Sequence, residues 1–313
     1  MATVRGFCLN LPEQRQRRER FVAHLKELAL PGRYSLFEAS RGHCDAAARR
    51  GLSSGEDGIW RSVLALLEHA CSSGDLDGYD GLHILEDDAD LSPEFCCWLA
   101  AVDLADLPVD IVLTDMYAGP TVFPQRQAFF EEAFADNRLR WLAGSEYTGC
   151  LASWLIPVGR LPAVAALFRQ IYHQEQRMIP VDNLLRRLFV EGQLQGVVSV
   201  PFLTSIDLES QAVSAIQDQS DRAVAATARV ADLLRRRLSV LRDGRELEQL
   251  LPLLAELRSP AQLSAQLGAL VQAVHQDRGF RYRFDARLLD QPGNPQASSD
   301  QTASARSRSA SGL

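Results

Sequence analysis

Hydrophobic and polar residues follow two different patterns along the first two thirds of the chain. Short apolar runs of strand length recur at residues 4–11, 34–39, 82–85, 109–114, 151–156 and 196–200. Between them, residues 13–28 and 58–70 carry apolar side chains at every third or fourth position, which indicates amphipathic helices. Strands that alternate with helices predict an α/β sandwich with a largely parallel sheet.

The most informative stretch is residues 82–91, where an apolar strand runs directly into Glu86, Asp87 and Asp88. Carboxylates packed this closely repel one another and raise each other's pKa, so a metal ion or a basic group usually neutralises them. Their oxygens suit Mg²⁺ or Mn²⁺, which in turn suit phosphate oxygens. The alternative is a solvated acidic turn. In open α/β sheets, sites lie at the carboxyl ends of strands, where these residues fall.

Composition removes several classes of protein. The 313 residues are 46% hydrophobic, enough for one large domain or two small ones, and the net charge of −7 disfavours nucleic-acid binding. No apolar run reaches the roughly 20 residues of a membrane span, and the first residues lead into a strand, so a cytoplasmic protein is expected. Six cysteines without C-x-x-C spacing indicate reduced thiols. The single lysine, Lys26, lies in a helix, which excludes a Walker A loop.

The composition changes after residue 217. Residues 218–290 are rich in Leu, Ala, Gln and Arg and predict two or three helices, divided at Pro252 and Pro260. Within them, the run of arginines at 235–237 is interpreted as a solvated helix face, with contact to anionic lipid headgroups or phosphates as the alternative. Residues 291–313 are too polar to bury a core and are expected to be disordered.

A series of short motifs occurs in a particular order along the first 217 residues. They are Cys8-Leu9-Asn10-Leu11 followed by Arg15, Arg17, Arg18 and Phe21; Phe37-Glu38-Ala39 with Gly42; Gly55-Glu56-x-Gly58 before Ser62; Ile84-Leu85-Glu86-Asp87-Asp88; Pro180-Val181-Asp182; and Pro201 with Ser214-Ala215-Ile216. In this order they resemble glycosyltransferase family 25, the lipooligosaccharide and procollagen galactosyltransferase group. Val63 stands where the family usually has a histidine, which leaves the donor sugar and the acceptor open.

The resemblance implies a GT-A-type fold, with a Rossmann-like mixed sheet flanked by helices, over a catalytic domain at residues 1–217. It also implies inverting transfer of a hexose, commonly galactose, from a UDP-sugar in the presence of Mn²⁺ or Mg²⁺. The expected partners are a nucleotide sugar and a glycan or lipid-linked acceptor, and no nucleic acid. A lipid-linked acceptor would place the protein peripherally at the inner face of the plasma membrane.

The resemblance also assigns roles to the acidic stretch. Asp88 is expected to bind the metal ion, and Glu86 and Asp87 to contact and support the nucleotide. At the mouth of the first strand, the candidates for nucleotide contact are Asn10 with Arg15 or Arg18, because arginine binds phosphate in a fork.

An inverting enzyme needs a general base for the acceptor hydroxyl. Asp182 is the first candidate, and a plain N-cap of the helix that follows is the alternative reading of this residue. Asp115 and Glu146 are the other candidate bases. Asp90 is expected to cap the helix that begins near Ser92-Pro93-Glu94. The histidines, among them His83, are expected to pack rather than bind metal.

Two other functions remain open at this stage. One is a different metal-dependent phosphoryl enzyme, such as a nuclease or phosphatase, which would usually show further metal ligands as Asp-x-Asp or histidine pairs. The other is a catalytically silent relative that acts as a scaffold through its C-terminal helices.

Overall fold

The computed structural model describes residues 2–30, 32–105, 107–118, 128–130, 132–133 and 139–207, together with Arg235 and Ser239. Apart from those two residues, the helical region predicted at 218–290 lies outside the described part of the chain. The tail predicted at 291–313 and the motif Ser214-Ala215-Ile216 also lie outside it.

Nine strands and six α-helices have both ends within the described residues. The strands are β1 Val4–Asn10, β2 Tyr34–Glu38, β3 Gly81–Glu86, β4 Ala89–Leu91, β5 Ile111–Leu113, β6 Arg140–Ala143, β7 Ser153–Pro157, β8 Gly196–Val200 and β9 Thr204–Ile206. The helices are α1 Arg15–Glu27, α2 Cys44–Arg50, α3 Ser54–Ser72, α4 Pro93–Ala101, α5 Leu161–Gln174 and α6 Val181–Val190. Short 3-10 helices occur at Gly144–Glu146 and Val158–Arg160.

Seven strands form one mixed sheet in the order β2-β1-β3-β7-β5-β8-β6. β1 runs parallel to β2 and β3, and β5 runs parallel to β8, whereas β7 is antiparallel to both of its neighbours and β6 is antiparallel to β8. The expected α/β fold with a mixed sheet flanked by helices is therefore confirmed. Five of its seven strands point in the same direction, so the prediction of a largely parallel sheet also holds, with β6 and β7 running the opposite way.

The side chains of β3 alternate between the two faces of the sheet. Leu82 and Ile84 pack in a core with residues of α3, α5 and α6, while Leu85 packs on the opposite face with α1 and α4. His83 is fully buried on that second face, with Nδ1 2.8 Å from the Tyr34 hydroxyl and Nε2 2.8 Å from the Ser153 hydroxyl. Packing, as expected, accounts for this histidine.

Local signals explain where two of the helices begin. Ser53 accepts a hydrogen bond from the Glu56 amide and donates its own amide to the Glu56 carboxylate, so this capping box starts α3 about one turn before the predicted residue 58. Ser92 caps α4 by accepting from the Phe95 amide. Asp90 instead lies in β4, so its predicted capping role is wrong.

All six cysteines lie in the described part of the chain and are free thiols, in agreement with their spacing.

Candidate functional site

Strand directions bring the predicted acidic residues to one edge of the sheet. β1, β3 and β5 run the same way, so Asn10, Glu86 and Asp115 emerge at neighbouring carboxyl ends. β7 runs in the opposite direction, and therefore the residues that precede it, among them Gly149, reach the same edge. This edge is where ligands bind in open α/β sheets.

Asp87 is held by two neighbours that use both of its oxygens. The Asn10 side-chain amide donates to Oδ2 at 2.7 Å, and Nη1 of Arg17 donates to Oδ1 at 2.7 Å. Burial raises the pKa of Asp87, and the Arg17 guanidinium and the Asn10 hydrogen bond act against that rise. Asp87 is thus an oriented carboxylate that accepts one hydrogen bond on each of its oxygens.

Asp88 is held far less completely than Asp87. Its side chain contacts Nη2 of Arg17, 3.3 Å from Oδ2, and a hydrogen bond with its own backbone also lowers the pKa of the carboxyl. Oδ1 is buried and has no hydrogen-bond partner among the described residues. Burial, with a smaller contribution from Asp87, raises the pKa of Asp88 to about 6, while Arg17 and Arg235 act in the opposite direction. Asp88 therefore keeps a buried oxygen available for a cation.

Glu86 shows how much negative charge gathers at this edge. Burial raises the pKa of Glu86 to about 8, and the charges of Asp88, Asp87, Asp182 and Asp115 add to the effect. Such a shift is typical of carboxylates brought together in a functional site, because like charges disfavour the ionised form. A divalent cation would relieve this repulsion.

Asp115 is paired with an arginine from far along the chain. Its side chain is fully buried and forms an ion pair with Arg235, which is only 3% exposed. Burial raises the pKa of Asp115, and the Arg235 charge opposes that rise. The interpretation of the arginine run as a solvated face is therefore wrong for Arg235, whose burial depends on a carboxylate 120 positions away. Because Asp115 is buried and paired with Arg235, it is poorly placed to accept a proton as a general base.

Asp182 lies in the first turn of α6 and is half-buried. The N-cap of α6 is Pro180, so the alternative reading of Asp182 as a plain N-cap is wrong. Its Oδ1 accepts from the Asn183 amide at 2.7 Å, and its Oδ2 lies 3.3 Å from the position that a Cβ would occupy on Gly149. Since its charge also acts on Glu86, Asp182 borders the acidic cluster.

The remaining predicted site residues are Arg15, Arg18 and Glu146. The Arg15 side chain is exposed and that of Arg18 is half-buried, and the cluster's carboxylates pair instead with Arg17 and Arg235. Glu146 ends the 3-10 helix Gly144–Glu146, just before the segment that leads to Gly149.

Arg17 is the residue that sequence reasoning missed. It shares a helix face with Phe21 and Leu25, both buried against the sheet, because residues four positions apart lie one above the other on a helix. The stripe formed by these three residues could have identified Arg17 as the arginine of α1 that faces the sheet.

Comparisons with known proteins give limited information. No protein-family model matches the chain, and no curated protein sequence matches it. A solved structure to which it is similar is a glycosyltransferase involved in the glycosylation of the major capsid of PBCV-1, with a TM-score of 0.39 and 8% sequence identity over 63% of this chain and 80% of that chain. The resemblance to family 25 thus stays a prediction. In the part of the chain that the structure describes, no helix has the length and hydropathy needed to cross a membrane.

Proposed function

We propose that this chain is an inverting GT-A-type glycosyltransferase of family 25 that transfers a hexose, with galactose as the first candidate, from a UDP-sugar to a glycan or lipooligosaccharide acceptor. The observation that carries the proposal is the buried, unpartnered Oδ1 of Asp88, just after the buried strand β3. An oxygen of this kind costs stability unless a ligand uses it. The neighbouring carboxylates make a cation the matching ligand.

The residues present fit one divalent ion that is shared with a phosphate group. No group of three or more histidine, cysteine or acidic side chains in the described residues forms a ready-made metal site. Mg²⁺ and similar ions are often bound by one or two carboxylates together with substrate phosphates, so Asp88 alone is a sufficient protein ligand. Once bound there, Mn²⁺ or Mg²⁺ would stabilise the negative charge that develops on the diphosphate leaving group.

Within this proposal, the other carboxylates have separate tasks. Asp87, fixed by Asn10 and Arg17, holds the end of β3 in place and supports the nucleotide side of the site together with Glu86. Asp182 takes the proton of the acceptor hydroxyl as that oxygen bonds to the sugar carbon and the bond from this carbon to the diphosphate oxygen breaks on the opposite face. Its place at the border of the cluster supports this assignment.

The lack of a preformed multi-carboxylate centre among the described residues disfavours a nuclease or phosphatase. Such enzymes commonly hold two metal ions close together through several protein ligands. A scaffold role does not explain the buried, unpartnered oxygen of Asp88.

A lipid-linked acceptor would bring this protein to the inner face of the plasma membrane from the cytoplasm as a peripheral protein.

Incubation of the purified protein with Mn²⁺ and a panel of UDP-sugars tests the proposal. Thermal stabilisation and slow sugar release are expected with at least one donor, and no response to any nucleotide sugar would reject it. Asp88→Asn should lose both responses. Asp182→Asn should keep the thermal shift with Mn²⁺ and UDP but lose the slow sugar release, and undiminished sugar release in that variant would reject Asp182 as the base. Asp77→Asn, in an exposed turn, is the matched control.

A further inference from the structure

Arg17 spans two carboxylates but holds them unequally. Nη1 lies 2.7 Å from Asp87 Oδ1, whereas Nη2 lies 3.3 Å from Asp88 Oδ2. A hydrogen bond between charged groups is normally about 2.7–2.9 Å long. The guanidinium therefore binds Asp87 firmly and Asp88 loosely.

A cation bound to Asp88 would lie very close to this guanidinium. Metal ions of the proposed kind lie about 2.0–2.1 Å from their oxygen ligands. Since the cation would bind Oδ1 and Nη2 lies 3.3 Å from Oδ2 of the same carboxylate, the two positive groups would lie within about 8 Å of each other. Without an anion between them, each weakens the binding of the other at this carboxylate.

A diphosphate resolves the conflict because its oxygens can bind the metal ion and the guanidinium together. Arginine suits this task, since its planar fork matches the geometry of phosphate. The acidic strand end would stay ordered when Arg17 turns away, because Asn10 independently holds Asp87 Oδ2 through a buried hydrogen bond.

We propose that Arg17 is an exchangeable counter-charge that occupies Asp88 in the absence of a divalent cation and turns to the donor's diphosphate when the cation binds Asp88. This inference rests on the proposed function. We therefore expect the cation and the nucleotide to bind with positive coupling. The cation releases Arg17 from Asp88, and the diphosphate removes the repulsion between Arg17 and the cation.

Calorimetry on the full chain can measure the affinity for the cation and the affinity for the nucleotide separately, without any turnover. Mn²⁺ alone is titrated first, and UDP is then titrated in saturating Mn²⁺. In Arg17→Met, Mn²⁺ alone should bind about tenfold more tightly than in the wild type, because its competitor is gone, and UDP with Mn²⁺ about tenfold more weakly. The opposite signs of the two changes distinguish an exchange from general damage to the site.

Arg169→Met is the matched control. Arg169 forms a partly exposed ion pair with Glu68 at 2.9 Å, away from the acidic cluster, so the same substitution removes an ion pair and should leave both affinities unchanged. If Arg17→Met does not fold, Arg17→Gln applies the same test with another neutral side chain of similar reach.

Each outcome supports or overturns the inference. Opposite changes in the two affinities support it. If the wild type binds Mn²⁺ and UDP but a folded Arg17 variant binds Mn²⁺ no more tightly, Arg17 is a fixed clamp, and the exchange is overturned while the proposed function stands. If the wild type binds neither, the proposed function falls and this inference falls with it.

Discussion

Replacement of Asp88 by asparagine is expected to make the protein more stable while removing the proposed cation ligand. Burial raises the pKa of this carboxyl from 3.8 to about 6, so its ionised form is disfavoured in the folded state. Asparagine has nearly the same shape and carries no charge. A variant that gains stability and loses a ligand-binding function is typical of a residue kept for function at a cost in stability.

The expected size follows from the two pKa values. The difference between 3.8 and about 6, at about 1.4 kcal/mol per pH unit, corresponds to about 3 kcal/mol of destabilisation by ionised Asp88 at pH 7. The effect of ionised Asp88 on the folded state is destabilising, because folding raises the pKa of its carboxyl. Its penalty is absent below pH 3.8, grows as the pH rises toward 6 and is constant above that value. Asp88→Asn should gain at most this amount, because the asparagine amide must also be accommodated.

Urea unfolding between pH 3.5 and 7.5, without metal and followed by circular dichroism, measures the effect. The difference in unfolding free energy between Asp88→Asn and the wild type should rise from pH 4 to pH 6 and then stay level. Addition of Mn²⁺ should stabilise the wild type and not the variant, since a ligand stabilises only the state that binds it. Asp77→Asn, at an exposed site, should show neither effect.

Two results would refute this reasoning. If Asp88→Asn is less stable than the wild type at pH 7, the carboxylate has a stabilising partner that outweighs its burial. If the variant keeps the full stabilisation by Mn²⁺, the cation binds elsewhere and Asp88 is not its ligand.

Arg235→Met is expected to lower the free energy of unfolding by about 3–5 kcal/mol, because Asp115 would stay buried without its partner, and an unchanged urea midpoint would contradict that pair. Gly149→Ala is expected to cost about 1–3 kcal/mol, since Gly149 has φ +126°; Gly159→Ala, which meets no atom within 4 Å, is the control, and equal stabilities would refute the strain. Burial lowers the pKa of His83 from 6.5 to about 3, so its contribution to stability is complete above pH 6.5 and should fall by about 3 kcal/mol on acidification to pH 4.5. His83→Asn should lose that pH dependence; a variant that keeps it would show that other groups cause it.

Much of the fold could be predicted from local patterns. The strand at Gly196–Val200 has the predicted bounds, and the helix predicted at residues 13–28 is observed at Arg15–Glu27. The strand follows from a short continuous run of apolar residues, which is typical of a strand buried on both faces, whereas the helix follows from apolar residues that repeat with the period of its backbone. The acidic triplet could also be recognised in the sequence, because it directly follows the apolar run of a buried strand.

The detailed contacts of the candidate site were not predictable in this way. Asn10 and Asp87 are 77 positions apart, and Arg235 and Asp115 are 120 positions apart. No local pattern specifies these two pairs, because each depends on the path of the chain between the two partners. The choice of Arg17 depends on the rotation of α1 against the sheet, which the stripe it forms with Phe21 and Leu25 does indicate.

The sequence by itself determined that an α/β sheet ends in a carboxylate cluster suited to a cation. Only the tertiary structure decided which carboxylates are already occupied. Asn10 and Arg17 each bind one oxygen of Asp87, and Arg235 pairs closely with Oδ2 of Asp115. Oδ1 of Asp88 and Oδ1 of Asp115 are both buried without a described partner, and Asp88 has the weaker of the two arginine contacts. The physical reason is that composition and periodicity report charge and burial along the chain, whereas the pairing of charges depends on which segments folding brings together.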